Sequence, residues 1–198
     1  LNNQRLGSIG ELATFSFFPS KNLTVGGDGG AILANTPKLS TSISAVVNHG
    51  LSKAGGYNFL SSNYRLSEIQ CAIGRIQLKH LDDWCKRRQQ IAERYSEAFD
   101  NSMIPTVRDG CKHAWNQYVL KTENAAELVA HLHAHNISST IHYPTPCHLQ
   151  PLYSTHHQHA AGNIPITEEI CHQLVSIPVF PQLTDEEVDH IITAVNSW

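Results

Sequence analysis

An apolar strand that ends in a proline turn and a glycine-rich loop constrains this chain more than any other segment. Residues 12–18 predict the strand, and residues 31–34 predict a second strand after the glycines. Pro19 fixes the turn, and the run of residues 26–30, which holds four glycines, would let the backbone approach a flat ligand closely. This arrangement puts Lys21 at a strand-to-loop corner.

Lys21 is the residue of greatest chemical interest at this corner. A lysine amine is nucleophilic only when it is neutral, and apolar surroundings favour the neutral form. Phe15, Phe17 and Phe18 bring ring surface close to it along the chain. The pattern is typical of a lysine that holds an aldehyde cofactor as an imine. A solvated lysine after an edge strand is the alternative interpretation.

Charge and hydropathy argue against two classes of partner. The formal net charge is −3, and the densest basic cluster, residues 86–88, has Asp82, Asp83 and Glu93 nearby, so a nucleic-acid surface is not expected. No run approaches the roughly 18 consecutive apolar residues that a membrane-spanning helix requires, and the first residues do not resemble a secretory signal. We expect a cytoplasmic protein that contacts neither nucleic acid nor membrane.

Cysteine and histidine spacing argues against disulfides and a metal centre. The cysteines are five in number, Cys71, Cys85, Cys111, Cys147 and Cys171. They are far apart and contain no C-x-x-C pair, which predicts reduced thiols. The histidine groups that raise a metal hypothesis are His131, His133 and His135, and His156, His157 and His159. Zinc-binding patterns have other spacings, so we predict no metal site and surface histidines.

The pattern of elements changes near residue 100. Helices are predicted over residues 37–47, from Ser67 towards Phe99 with a kink near Asp82, and over 124–135, 167–174 and 184–196. Strands are predicted over 115–120, 137–142 and 175–177, and a long irregular loop over 48–63 is a candidate site element. Residues 1–100 are therefore expected to be a piece of an α/β domain with a long helix, and residues 101–198 a small α+β domain.

Four blocks, in order, resemble one enzyme family. They read GELATFSFFPSKN at 10–22 with the glycines of 26–30, NYRLSEIQCA at 63–72, IHYPTPCHLQ at 141–150 and VSIPVFP at 175–181. The blocks resemble the DegT/DnrJ/StrS sugar aminotransferases, which are fold-type-I enzymes that use pyridoxal phosphate. The resemblance implies an α/β fold: a partial large cofactor-binding domain in residues 1–100, followed by the small C-terminal α+β domain in 101–198.

The resemblance also implies roles for particular residues. Lys21 would form the Schiff base with pyridoxal phosphate and then move the proton between cofactor and substrate. Ser16 would bind the cofactor phosphate through its hydroxyl, and Asn63 would reach the same phosphate from the neighbouring subunit of a homodimer or larger oligomer. Arg65 would pair with a phosphate of a nucleotide-linked sugar, or tie down its own loop.

Three further residues match the family segment that borders the sugar pocket. His142, Tyr143 and His148 have donors and acceptors suited to sugar hydroxyls or phosphate, or they simply pack. Related dehydratases carry histidine in place of the lysine, so Lys21 favours amino transfer. The resemblance therefore implies transamination of a nucleotide-linked keto sugar, with L-glutamate as the expected amino donor, in aminosugar or polysaccharide biosynthesis.

One departure from the family pattern concerns the position of Lys21. The family lysine lies roughly midway along a chain of about twice this length, whereas twenty residues precede Lys21 here. We therefore expect a truncated chain that lacks the acidic partner of the pyridine nitrogen, with uncovered sheet surface that drives oligomerisation. The alternatives are a non-catalytic remnant that folds and associates, and a metal-binding module built on the histidines.

Overall fold

The computed structural model describes residues 4–153 and 162–198 of the chain, which form two compact units. The N-terminal unit runs up to Trp84 and includes Arg108–Lys112, and the C-terminal unit comprises Cys85–Val107 and the residues from His113 to Trp198. The division by contacts falls inside a helix, whereas the sequence pattern changes near residue 100.

The N-terminal unit is built on an antiparallel hairpin. Strand β1 (Leu12–Ser16) pairs with β2 (Gly30–Ala34), and Ser16 lies opposite Gly30. Helix α1 (Pro37–Val47) begins with proline in its first turn, where a missing N–H costs nothing. Helix α2 (Glu68–Gln77) begins at a capping box formed by Ser67 and Gln70.

The hairpin leaves large apolar side chains exposed to solvent. Phe15 is 40% exposed and Phe18 51%, while Ile32 is 43% and Leu33 47% exposed. Phe15 and Leu33 share one face of the hairpin, and Ile32 lies on the other. Exposed apolar side chains grouped on a face suit an interaction surface. The sequence-based expectation that this sheet presents uncovered apolar side chains is confirmed for the described residues.

The C-terminal unit contains the hydrophobic core. Strand β3 (Tyr118–Lys121) pairs antiparallel with β4 (Leu174–Ile177), and helices α4 (Ala125–Ala134) and α6 (Asp185–Asn196) contact each other. The remaining helices are α3 (Leu81–Ala98) and α5 (Pro165–Ile170). The side chains that are at most 2% exposed in this core are Ile91, Ala92, Tyr95, Tyr118, Leu120, Ala125, Leu128, Leu132, Val175, Val188 and Ala194.

The structure corrects three of the predicted elements. The long helix is two helices, α2 and α3, with the interruption at residues 78–80 rather than a kink near Asp82. Strand β3 begins at Tyr118 rather than at 115, because Trp115 has a φ of 45° and cannot continue a strand. The predicted strand 137–142 is reduced to one bridge between Thr140 and Ser176.

Other expected elements agree closely with the structure. Helix α1 and the strand β4 lie where the sequence predicts them, and the Thr184/Glu187 capping box is confirmed. Strand β1 ends at Ser16 instead of Phe18 because the chain turns there, and the helix predicted over 167–174 is the shorter α5. The loop 48–63 is irregular, and a bridge between Asn48 and Asn63 joins its ends.

Candidate active site

Ser16 is the last residue of β1, and Lys21 closes the tight turn that follows it. The amide of Phe18 donates to Ser16 Oγ at 3.3 Å, and the amide of Lys21 donates to the Phe18 carbonyl oxygen at 2.9 Å. The Ser16 hydroxyl accepts in this contact, so its own hydrogen remains available for donation. Lys21 is half-buried and Ser16 is exposed. The Ser16 hydroxyl, with a hydrogen to donate, and the Lys21 amine therefore lie five positions apart on the segment that leaves β1.

Two glycines after the turn are explained by packing within the chain. A Cβ added at Gly30 would lie 2.7 Å from the Phe15 carbonyl oxygen, and one at Gly29 would lie 2.7 Å from Val25 Cγ2. The contact with backbone at Gly30 requires glycine in the hairpin itself, whereas a side chain at Gly29 would force the side chains of Val25 and Leu66 to shift. Close approach of a ligand is not needed to explain them.

Asn63 and Arg65 belong to one hydrogen-bonded network with Asn48. Arg65 donates to Asn63 Oδ1 from its backbone N and from Nε, both at 3.1 Å, and its Nη1 donates to Asn48 Oδ1 at 2.7 Å. Arg65 therefore does tie down its own loop, which was one of the two roles expected for it. These bonds occupy the Asn63 oxygen and orient the Asn63 amide nitrogen as the group that can donate to a ligand.

His142 lines a cavity of the C-terminal unit whose wall is mostly apolar. The cavity has a volume of about 300 Å³ and is lined by Gln117, Thr140, His142 and Ser176 among others. His142 Nδ1 lies 2.9 Å from Ser176 Oγ, which in turn donates to Gln117 Oε1 at 3.1 Å. The ring is half-buried and held on one edge by these bonds. Tyr143 is 73% exposed, and its ring meets the His142 ring edge-on with centroids 5.2 Å apart.

His148 is held apart from this cavity by an acidic partner. Its side chain is 8% exposed, and its Nε2 lies 3.0 Å from Glu168 Oε1. Glu168 also accepts from the backbone amides of Gly162 at 2.9 Å and Ile164 at 3.2 Å. These contacts give His148 a packing role; its contact with sugar stays a prediction.

Glu168 makes the stability of its surroundings depend on pH. The Gly162 amide, the His148 ring and the Ile164 amide hold the pKa of the Glu168 carboxyl below its usual value of 4.5. Because this pKa is lowered, the ionised Glu168 carboxylate contributes its full stabilisation above about pH 4.5. That stabilisation is lost as the pH falls through the pKa of Glu168 in the folded state. We expect hydrogen-exchange protection of the Gly162 and Ile164 amides to fall over that acidic range.

The control for this pH dependence is Glu168→Gln, which removes the titrating group. Its protection at those two amides is expected to be lower at neutral pH and to lack the acidic transition. Equal protection of the wild-type amides at neutral pH and well below 4.5 would contradict the assignment.

Sequence reasoning missed the partners that hold these groups. Asn48, Gln117 and Glu168 lie outside the four blocks of resemblance, and Ser176 lies in the fourth block without an assigned role. Each reaches its partner across 17 to 59 positions of the chain. No local signal could have identified them, since the contacts form only when the loop and the sheet fold.

The histidine groups show no metal-like arrangement where they are described. Within residues 4–153 and 162–198 there is no cluster of three or more His, Cys, Asp or Glu side chains suited to a metal ion. His131 Nε2 contacts the Ala194 carbonyl oxygen at 2.9 Å, and His135 Nδ1 contacts the His131 carbonyl oxygen at 2.9 Å. The expected group at 156, 157 and 159 lies outside the described residues. The cysteines are free thiols.

Within residues 4–153 and 162–198, no helix combines the length and the apolar character needed to cross a bilayer.

Comparison with protein families and curated relatives gives consistent matches. The family model described as "DegT/DnrJ/EryC1/StrS aminotransferase family" matches residues 1–196. The dTDP-3-amino-3,6-dideoxy-alpha-D-galactopyranose transaminase of Aneurinibacillus thermoaerophilus is 40% identical over 199 residues, covering 100% of this chain and 54% of the relative. The erythromycin biosynthesis sensory transduction protein EryC1 of Saccharopolyspora erythraea is 35% identical, covering 98% of this chain and 53% of the relative.

A solved structure has the same fold over the whole chain. The crystal structure of S. venezuelae DesV in complex with a ketimine intermediate superimposes with a TM-score of 0.93 at 33% identity, covering 100% of this chain and 54% of DesV. The chain therefore spans about half the length of the relatives it matches. Its fold is part of the fold-type-I α/β architecture of these aminotransferases.

Proposed function

Because this chain belongs to the DegT/DnrJ/EryC1/StrS aminotransferase family, we propose that its protein transfers an amino group to a keto sugar linked to a nucleotide. The amino donor is L-glutamate, the cofactor is pyridoxal phosphate, and the product enters aminosugar or polysaccharide biosynthesis. The observation that carries this proposal is the turn from Phe18 to Lys21, which directly follows Ser16 at the end of β1. The relative from Aneurinibacillus thermoaerophilus is named as a transaminase of a dTDP-linked amino sugar, which supports the substrate class.

The residues of the N-terminal unit fit a phosphorylated aldehyde. Lys21 offers the amine, the Ser16 hydroxyl has a hydrogen left to donate, and the Asn63 amide nitrogen is left as a donor because its oxygen is occupied by Arg65. A hydroxyl and an amide both donate to phosphate oxygen without adding charge. The donor set therefore suits the aldehyde and the phosphate of the cofactor.

The chain's own groups have separate tasks in this proposal. Pyridoxal phosphate, when bound, supplies the electron sink that lets an amine be exchanged for a carbonyl. Lys21 Nζ binds the aldehyde carbon and, when released from it, carries the proton that is moved at the substrate carbon. Ser16 Oγ and Asn63 Nδ2 fix the phosphate, and His142 orients the sugar. The free cysteine thiols support a reducing, cytoplasmic location.

Asn63→Asp tests the assignment of the Asn63 amide nitrogen. The substitution keeps an oxygen for Arg65 and replaces the donor with a negative charge, so we expect the Kd of pyridoxal phosphate to rise about 10- to 100-fold. The measurement is a spectral titration of the complete gene product that carries this sequence. The matched control is Asn48→Asp, which adds the same charge beside Arg65 and is expected to change the Kd less than about threefold. Equal effects of both variants would contradict the assignment.

Mixing two defective variants tests whether Asn63 serves a second copy of the chain. We propose a homodimer in which Asn63 of one protomer completes the site that contains Lys21 of the other. Lys21→Ala and Asn63→Asp are refolded together at limiting cofactor. In an equal mixture, about half of all dimers would contain one copy of each variant. Each such dimer has one intact site out of two, so about a quarter of wild-type activity is restored. No restoration would place Asn63 and Lys21 in the same protomer.

The reaction itself is tested by isotope transfer. The complete gene product is incubated with pyridoxal phosphate, ¹⁵N-labelled L-glutamate and a panel of nucleotide-linked keto sugars. We expect the label to appear in an aminosugar nucleotide and 2-oxoglutarate to form in equal amount. Release of 2-oxoglutarate without a labelled sugar product, across the whole panel, would count against the proposed acceptor class.

The exposed hairpin favours a second candidate function, that of an associating module without catalysis. The apolar side chains Phe18 and Leu33 are about half exposed and suit a protein interface. Titration of the 198-residue chain with pyridoxal phosphate separates the two candidates. Saturable binding at one site supports the enzyme, whereas weak binding that does not saturate supports the module.

A further inference from the structure

The hydrogen bonds around His142 determine which of its ring nitrogens can accept. We propose that Gln117 and Ser176 are positioning residues: they hold His142 in the tautomer that carries its proton on Nδ1, so that Nε2 accepts a hydrogen bond from a sugar hydroxyl. This inference rests on the proposed function, because it concerns the sugar that the enzyme binds.

Ser176 fixes the direction of the chain of bonds. A serine hydroxyl has one hydrogen, and that of Ser176 is donated to Gln117 Oε1 at 3.1 Å. Towards His142 Nδ1, at 2.9 Å, Ser176 Oγ can then only accept, so Nδ1 must carry the proton. A neutral imidazole with its proton on Nδ1 has a bare Nε2, which is an acceptor.

The fold keeps Ser176 from adopting another position. Ser176 is 7% exposed and sits in β4, paired with Val119 on one side. On its other side, its backbone exchanges hydrogen bonds with Thr140 at 2.8 and 3.3 Å. Thr140, His142, Gln117 and Ser176 all line the same cavity of about 300 Å³. The two hydrogen bonds that connect His142, Ser176 and Gln117, here called the relay, are thus held by the sheet. Whether the Gln117 amide accepts or donates in the relay decides whether His142 Nε2 accepts or donates towards a ligand.

The consequence for specificity concerns the donor on the ligand. An acceptor at Nε2 favours a group that carries a hydrogen, such as a sugar hydroxyl, and leaves a deoxygenated carbon without a partner. If the oxygen and nitrogen of the Gln117 amide were exchanged, both hydrogen bonds of Ser176 Oγ would reverse direction. His142 Nε2 would then carry the proton and act as a donor. Gln117→Glu fixes the acceptor polarity because a carboxylate only accepts, and Gln117→Met removes the acceptor at similar size.

The test is the ¹⁵N chemical-shift pattern of His142 in the complete gene product labelled with ¹⁵N-histidine. The signal is assigned by its loss in His142→Gln. We expect the Nδ1-protonated pattern in the wild type and in Gln117→Glu, and a shift towards the Nε2-protonated form in Ser176→Ala and Gln117→Met. Ser139→Ala is the matched control, since Ser139 is a buried serine lining the same cavity whose Oγ has no partner among the described residues.

Kinetics supply the second readout. With the proton on Nε2, we expect the KM for the keto sugar to rise about three- to tenfold in Gln117→Met while the KM for the amino donor stays the same. If His142 of the wild type carries its proton on Nε2, the proposed relay is wrong, whatever substrate the enzyme acts on. An unchanged sugar KM, despite the predicted tautomer, would overturn the link to the sugar hydroxyl. Failure of isotope transfer to any sugar would instead count against the proposed function and would leave the ¹⁵N result interpretable.

Discussion

Lys21→Ala is expected to abolish transamination by the complete gene product and to remove the absorbance band of lysine-bound pyridoxal phosphate. The loss of proton transfer alone accounts for about 10²- to 10⁴-fold in rate, and the loss of the covalent attachment adds to it. The structure motivates this result because Lys21 is half-buried and closes the turn that follows Ser16. The measurements are a spectrum and single-turnover kinetics.

Two variants separate loss of the amine from loss of structure. Lys21→Arg keeps a positive side chain that cannot act as a nucleophile, and it is expected to be as inactive as the alanine variant. Lys53→Ala removes an exposed lysine of the same unit and is expected to keep the band and the activity. An unchanged absorbance band in Lys21→Ala would refute the assignment of the cofactor lysine.

Arg88→Met is expected to lower the free energy of unfolding of the C-terminal unit by about 3 kcal/mol. Arg88 is 7% exposed, and its Nη1 donates to the carbonyl oxygens of Trp115 at 3.0 Å, Asn116 at 3.4 Å and Val179. Burial lowers the pKa of Arg88 from its usual value. Methionine fills similar space but donates nothing, so buried carbonyls lose a partner. The measurement is denaturant unfolding followed by tryptophan fluorescence.

The neighbouring arginine provides the matched control for that stability loss. Arg87 makes an ion pair with Asp185 at 2.8 Å, and it also donates to one carbonyl oxygen, that of Leu183, at 2.7 Å. Asp185 keeps a second partner in Arg94 at 2.9 Å. Because an exposed pair contributes about 0–1 kcal/mol and one neutral acceptor about 1 kcal/mol, Arg87→Met is expected to cost about 1 kcal/mol, less than Arg88→Met. Equal losses from the two variants would show that the buried carbonyl contacts of Arg88 contribute little. Asn116 and Val179 line the cavity of His142, so Arg88 also supports that site.

Local signals predicted the helices well because caps and prolines act within a few residues. Pro37 and the Thr184/Glu187 pair mark helix starts that the structure confirms. The strand expected over 137–142 failed because a strand needs a partner along its length. Only Thr140 finds one, at Ser176, and Asn136 enters the segment with a φ of 60°. That information is tertiary and cannot be read from alternation alone.

The residues of the candidate site could likewise be predicted only in part from the sequence. The four blocks of resemblance identify Lys21, Ser16 and Asn63, and the family membership they implied is confirmed by the match over residues 1–196. The bonds that prepare these groups come from distant positions. Asn48 orients Arg65, and Ser176 with Gln117 fixes the ring of His142. The individual roles stay predictions until the variants described above are measured.

The central claim is that Lys21 is the residue that binds pyridoxal phosphate. The most direct measurement is reduction of the cofactor-loaded complete gene product with borohydride, followed by protease digestion and mass spectrometry of the peptides. Reduction makes the bond between lysine and cofactor permanent, so the modified residue can be identified. We expect one stoichiometric pyridoxyl group on Lys21. Modification of another lysine instead, or a low, scattered labelling of many lysines, would contradict it.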